Sequence, residues 1–118
     1  MKTILVAEDN DSNYILMTYI LKKTYQLLRA KNGQEAVEMA DQGGVDLILM
    51  DMKMPIMDGV EATIKIKEKH PDLPIVALTA NAFESDRETM LEAGCDEFMS
   101  KPVSSEKCLA TSEGLIGK

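Results

Sequence analysis

Three stretches of this chain, Ile4-Leu5-Val6-Ala7, Val45 to Met50 and Ile75-Val76-Ala77-Leu78, are almost continuously apolar over about the length of a strand, with only Asp46 interrupting the second. A strand with one wet face alternates apolar and polar residues, whereas a strand covered on both faces does not. These runs therefore predict the interior of a parallel sheet with helices above and below. Phe98-Met99 is a weaker run of the same kind, and the mixed stretch Tyr25 to Ala30 suits an edge strand.

Helix signals fill the intervals. Leu16, Met17, Ile20 and Leu21 recur on one helical face, with Asn10 or Asp11 as cap. Asn32 stands three residues before Glu35 in a capping-box arrangement. The stretch Glu84 to Ala93 stops at Gly94, which suits the left-handed position after a helix, and Ser104 to Ile116 repeats the helical pattern despite Gly114. One segment conflicts with itself. Val60, Ala62, Ile64 and Ile66 alternate with polar residues, as a strand does. A cap pair at Asp58 and Glu61, with Lys65, Lys67 and Lys69 gathered at the far end, argues for a helix instead. That helix would turn Ala62 and Ile66 inward and leave Val60 and Ile64 partly exposed.

The order that results is β-α repeated five times, an α/β fold with a doubly wound parallel sheet and helices on both faces. At 118 residues it is read as one domain over 1–118, with no output domain after Ile116. Thirteen Lys+Arg against twenty Asp+Glu leave a net charge of −7. Such a body repels a polyanion, so direct nucleic-acid binding is not expected. Cys95 and Cys108 lack CxxC or zinc-ligand spacing and read as reduced thiols of a cytoplasmic protein. No signal peptide is read at Met1-Lys2-Thr3, and no apolar stretch approaches the ~20 residues that span a bilayer, so no membrane partner is expected.

Ligands of doubly wound sheets bind beyond the carboxyl ends of the strands. At those positions the chain offers Glu8 and Asp9, then Asp51, then Thr79, then Lys101-Pro102. Crowded carboxylates raise one another's pKa unless cations compensate. All-oxygen ligands without histidine or thiolate suit a hard cation, Mg²⁺ before Zn²⁺, and Lys101 adds a second positive charge. A carboxylate can accept a phosphoryl group as an acyl phosphate, with a cation, an ammonium and a hydroxyl stabilising the moving charge. Asp51 is the preferred nucleophile because it ends the most apolar central run, between strands carrying the other groups.

With Ile4-Leu5-Val6-Ala7-Glu8-Asp9-Asn10, Asp51-Met52-Lys53-Met54-Pro55-Ile56-Met57-Asp58-Gly59, Ala77-Leu78-Thr79-Ala80 and Phe98-Met99-Ser100-Lys101-Pro102 in order, the chain resembles a receiver domain of a two-component response regulator, or of a hybrid sensor histidine kinase, from Lys2 to about Ile116. The resemblance implies a flavodoxin-like strand order, 2-1-3-4-5, for the five-stranded sheet. It implies a phosphoacceptor switch: Mg²⁺-dependent transfer of a phosphoryl group from a partner phosphohistidine to Asp51, then auto-dephosphorylation, without turnover of a separate substrate. Asp9 and Asp51 would hold Mg²⁺ directly, Glu8 through water, and Lys53 through its backbone carbonyl. Thr79 and Lys101 would hold the phosphoryl oxygens, Phe98 would be the aromatic coupled to Thr79, and the bond to Pro102 would be cis. The implied partner is a sensor histidine kinase or a histidine-phosphotransfer protein. A self-association or output surface would lie on the Glu84–Ile116 face.

Some residues depart from the commoner pattern. Glu8 replaces an Asp, Phe98 lacks a tyrosine hydroxyl, and Lys53 and Asn81 stand at positions that, by the resemblance, would flank the path of the attacking water. Three other readings stand beside the switch. A phosphatase with an aspartyl nucleophile commonly needs a second acid two residues on, where Lys53 stands. An interaction-only module would not need the full set of Glu8, Asp9, Asp51, Thr79 and Lys101. A flavin domain would need a phosphate-cradling first loop rather than an acidic one.

Overall fold

The computed structural model describes residues 1–80 and 84–117. Five strands, β1 (Thr3–Ala7), β2 (Gln26–Ala30), β3 (Leu47–Asp51), β4 (Ile75–Thr79) and β5 (Glu97–Ser100), form one sheet in the order β2-β1-β3-β4-β5. Every pairing is parallel, with Leu5 opposite Leu28 on one side and Ile48 on the other, Met50 opposite Ala77, and Leu78 opposite Met99. The doubly wound order expected from the resemblance is the order observed.

The apolar runs are the interior strands. All of β3 and β4, and all of β1 after Thr3, are buried, whereas the edge strands β2 and β5 are only partly so. Successive side chains of a strand point to opposite faces, so one sequence feeds two cores. Leu5, Ile48, Met50, Ile75 and Ala77 face α2 (Gly33–Gln42), α3 (Gly59–Lys69) and α4 (Glu84–Ala93) through Ala36, Ala40, Ala62, Ile66 and Met90. Ile4, Val6, Leu47, Leu49, Val76 and Leu78 face α1 (Asp11–Leu21) and α5 (Ser105–Ile116) through Met17, Leu21 and Cys108.

Caps fix the helix starts. Asn10, Asn32, Asp58 and Ser104 each accept a backbone N–H from the residue three positions on, a bond typically worth about 1 kcal/mol. At α2 the reciprocal bond of the box lands one residue early: Glu35 Oε1 accepts the Lys31 N–H at 3.1 Å, while Oε2 meets the Asn32 amide at 3.3 Å. The ambiguous Val60–Lys67 stretch is helical, with Ala62 and Ile66 buried and Ile64 44% exposed. Gly94 takes φ +111° directly after α4.

Two strands start later than the stretches expected for them. Asp46 stands before β3 and accepts the Thr3 N–H at 2.8 Å, ending the sheet's amino edge. Tyr25 stands before β2, buried, with its hydroxyl donating to the Gly117 carbonyl at 2.8 Å. Lys2 Nζ donates to the Ile116 carbonyl beside it, placing a cation where the α5 dipole is negative. Cys95 and Cys108 are free and buried, and desolvation first of all pushes each thiol up to about 11.

Candidate functional site

The acidic turn after β1 is fixed from behind by its backbone. The Glu8 N–H continues the sheet to the Ala30 carbonyl at 3.0 Å, and Arg29 Nε and Nη2 donate to the Glu8 carbonyl at 3.2 and 3.1 Å. Arg29 is itself held by Asp11 at 2.8 Å and lies 4.6 Å over the Tyr14 ring. The Glu8 side chain is only 1% exposed, yet its carboxylate is satisfied. Oε1 accepts from the Asn13 amide at 3.2 Å and the Asn10 N–H at 3.3 Å, and Oε2 accepts from Lys101 Nζ at 3.0 Å. Asp9, beside it, is exposed.

Asp51 is the last residue of β3 and is 6% exposed. Its Oδ1 accepts the Lys53 N–H at 3.3 Å and its Oδ2 lies 3.2 Å from Lys101 Nζ. One ammonium thus bridges the carboxylates that end β1 and β3. Lys101 is placed for this by its own N–H, which donates to the Thr79 carbonyl at 2.8 Å just beyond β5; its peptide with Pro102 is cis.

Burial and then the Glu8 charge raise the Asp51 carboxyl to about 6, against a smaller opposing pull from Lys101 and the Lys53 N–H. Burial draws the Lys101 ammonium down, but its bond to Glu8 and the charges of Asp51 and Glu8 outweigh that, and its pKa is raised. Glu8, Asp9 and Asp51 each bring an oxygen within 4.8 Å of the others. An all-carboxylate set of this kind fits a hard divalent cation, which would offset both the burial of Asp51 and the charge of Glu8 beside it.

The loop after β3 depends on two close approaches. The Gly59 N–H donates to the Met52 carbonyl at 2.8 Å, and a Cβ on Gly59 would lie 2.1 Å from the Asp51 carbonyl oxygen. The Gly33 N–H donates to the Met57 carbonyl at 2.9 Å, and a Cβ there would lie 2.2 Å from that oxygen. Between them Ile56 takes φ +70° while 83% exposed.

A cavity of about 120 Å³ opens beside Asp51, lined also by Met52, Lys53, Thr79, Ala80, Asp86 and Lys101. That is room for a tetrahedral oxyanion. Thr79 is buried at the end of β4 with Oγ1 3.5 Å from Asp86 Oδ2, and Phe98, half-buried on β5, lies 4.6 Å beneath the Arg87 guanidinium. The Lys53 side chain is exposed. Asn81 lies outside the described residues.

Glu8, Asp9, Asp51, Thr79 and Lys101 therefore come together at one edge, from segments as far as 93 residues apart. Sequence reading did not find Arg29, Asn13 or Asp86. Asn13 carried a signal, a polar residue in the first helical turn after the acidic pair. Arg29 and Asp86 carried none, because their contacts exist only once β2 and α4 are in place.

A doubly wound domain with a carboxylate cluster, a lysine and a hydroxyl around one small cavity belongs to the class of α/β phosphoacceptor domains. The family model for the response regulator receiver domain matches residues 4–113, and the chain belongs to that family, whose role is that of a phosphoacceptor in two-component signalling. It is 33% identical over 119 residues to the polar-differentiation response regulator DivK of Brucella anthropi, covering 98% of this chain and 97% of that one. Among solved structures it is similar to the receiver domain of the sensor histidine kinase PA1611 from Pseudomonas aeruginosa, which has a magnesium ion coordinated in its active-site cleft (TM-score 0.92, 34% identity, 99% and 98% covered). It is also similar to the receiver domain of Ssk1 from Saccharomyces cerevisiae, solved with the histidine phosphotransfer protein Ypd1 (TM-score 0.91, 31% identity, 97% and 88% covered). Among the described residues no helix is long and apolar enough to cross a membrane.

Proposed function

We propose that Asp51 is the phosphoacceptor of a cytoplasmic signalling switch that takes its phosphoryl group from a phosphohistidine on a histidine kinase or histidine-phosphotransfer protein. The observation that carries this is the lysine bridge: Lys101 Nζ stands 3.0 Å from Glu8 and 3.2 Å from Asp51, at the mouth of a cavity that Thr79 also lines. Asp9 and Asp51 would hold Mg²⁺ with the Lys53 carbonyl, and Glu8 would act through water. When bound, the ion would supply positive charge against the phosphoryl oxygens.

Burial and the Glu8 charge raise the Asp51 carboxyl to about 6, which leaves its ionised form available as the nucleophile at neutral pH. A carboxylate oxygen of Asp51 attacks phosphorus in line, the P–N bond to the partner histidine breaks, and the imidazole keeps the electron pair and takes up a proton from solvent. Lys101 moves its hydrogen bond from the Asp51 carboxylate to a phosphoryl oxygen, and Thr79 donates its hydroxyl to another. The new acyl phosphate shifts the balance between two arrangements of α4, β5 and α5, the face on which an output partner or a second copy would dock. Phe98 packs differently in the two. Water then attacks phosphorus and regenerates the carboxylate, with inorganic phosphate leaving, so the domain assists its own modification and removal without turning over a separate substrate.

Beryllium fluoride with Mg²⁺ tests this by amide chemical shifts, and acetyl phosphate by intact mass. The wild type should respond to both and Asp51→Asn to neither; an unresponsive wild type, or an equal response in Asp51→Asn, defeats the assignment.

A further inference from the structure

Asp86 lies on the first turns of α4, outside every motif in the sequence, and still lines the cavity beside Asp51. Its Oδ2 is 3.5 Å from Thr79 Oγ1, at the outer limit of hydrogen-bond distance, with the hydroxyl as donor. A threonine hydroxyl has one proton to give. The phosphoryl group expected on Asp51 would need that same proton, in a cavity that already holds a carboxylate facing it. The next residue, Arg87, stacks 4.6 Å over the Phe98 ring. Consecutive residues of α4 thus contact both positions through which phosphorylation would be felt.

We infer that Asp86 is a positioning residue that competes with the phosphoryl group for the Thr79 hydroxyl, holding Thr79 and the start of α4 in the unphosphorylated arrangement and so setting how readily the switch is thrown. This rests on the assignment of Asp51 as phosphoacceptor. The Asp86 carboxylate and the phosphoryl group claim the same hydroxyl proton, and the conflict is relieved when Thr79 turns from one to the other and α4 shifts. Loss of the carboxylate lowers the barrier to the activated arrangement, so the variant gains affinity for a phosphoryl mimic. A lesion that merely loosened α4 would change affinity to the same extent with or without the Thr79 hydroxyl, so the Thr79→Val background separates positioning from structure.

The test is a beryllium fluoride titration in saturating Mg²⁺, followed by amide chemical shifts. It compares wild type, Asp86→Ala, Asp86→Asn and Asp86→Glu, with Asp51→Asn as control. Asp86→Ala should bind about tenfold more tightly than wild type, within the usual range for coupled sites. Asp86→Asn, which keeps an acceptor but not the charge, should gain less, and Asp86→Glu should stay within about twofold of wild type. In a Thr79→Val background the gain from Asp86→Ala should shrink to under about twofold, as a double-mutant cycle requires of a residue acting through that hydroxyl. Unchanged or weaker binding by Asp86→Ala, or a full gain surviving in Thr79→Val, overturns the inference while leaving Asp51 in place. A wild-type chain that does not respond removes the assignment of Asp51, and this inference with it.

Discussion

Replacing Asp51 by Asn should make the metal-free domain more stable, by an amount that depends on pH in a defined way. Asp51 is 6% exposed, and its carboxyl stands at about 6 against an ordinary 3.8, because burial and then the Glu8 charge disfavour its ionised form. The folded chain therefore holds this proton more tightly than the unfolded chain does. Stability is complete below the unfolded value, falls as pH rises through the window from 3.8 to about 6, and is level above it. A displacement of about two pH units corresponds to about 3 kcal/mol. Asn has the shape of the protonated carboxyl and no charge to desolvate. Lys101 is not orphaned by the change, since Glu8 still holds it at 3.0 Å. Urea unfolding in EDTA should then place Asp51→Asn up to about 3 kcal/mol above wild type at pH 8, or roughly 10 °C in Tm for a domain of this size, with the gap closing toward pH 4. Millimolar Mg²⁺ should narrow the gap at pH 8 by stabilising the wild type more than the variant. An Asn variant no more stable than wild type at pH 8, or a gap of equal size at pH 4 and 8, would refute the reasoning.

Other substitutions probe the frame around the site. Gly59→Ala drives a methyl group to within 2.1 Å of the Asp51 carbonyl oxygen, so the loop after β3 must shift; urea titration should show a loss of more than about 2 kcal/mol, and Mg²⁺ binding by calorimetry should weaken. Ile56→Gly removes a β-branched side chain held at φ +70° with nothing packed over it, and should raise stability by about 1 kcal/mol after the glycine entropy term is subtracted. Thr63 is fully buried in α3 with its hydroxyl unpartnered among the described residues, so the isosteric Thr63→Val should stabilise by about 1 kcal/mol in the same assay. Arg29→Met leaves the Glu8 carbonyl without its two side-chain donors and should weaken Mg²⁺ binding measured by calorimetry, while Asp51→Asn weakens it through a ligand itself.

The parts of the fold legible from sequence were those where one physical cause dominates. Burial on both faces left β1, β3 and β4 no room for polar residues, and their unbroken runs announced a covered parallel sheet. The edges were harder to place, because β2 and β5 are half wet and Tyr25 packs against the end of α5 rather than extending its strand. Helix α3 shows the limit of periodicity. Its alternating residues fit a strand until the Asp58 cap and the terminal lysines are weighed, and a helix tolerates the misfit by leaving Ile64 in water. The site followed from the fold by a single rule, that chemistry gathers where parallel strands end, so Glu8, Asp9, Asp51, Thr79 and Lys101 could be named together. What stayed hidden were residues whose meaning is created by the chain's return. Arg29 reads as a stray charge on an edge strand until β2 lies beside β1, where its guanidinium meets the one carbonyl that orients the acidic turn. Asp86 reads as a solvated helix residue until α4 closes over β4. Both act on a functional side chain through another group, Arg29 through backbone and Asp86 through a hydroxyl. Residue identity signals chemistry done directly; chemistry done at one remove is recorded only in the distance between elements.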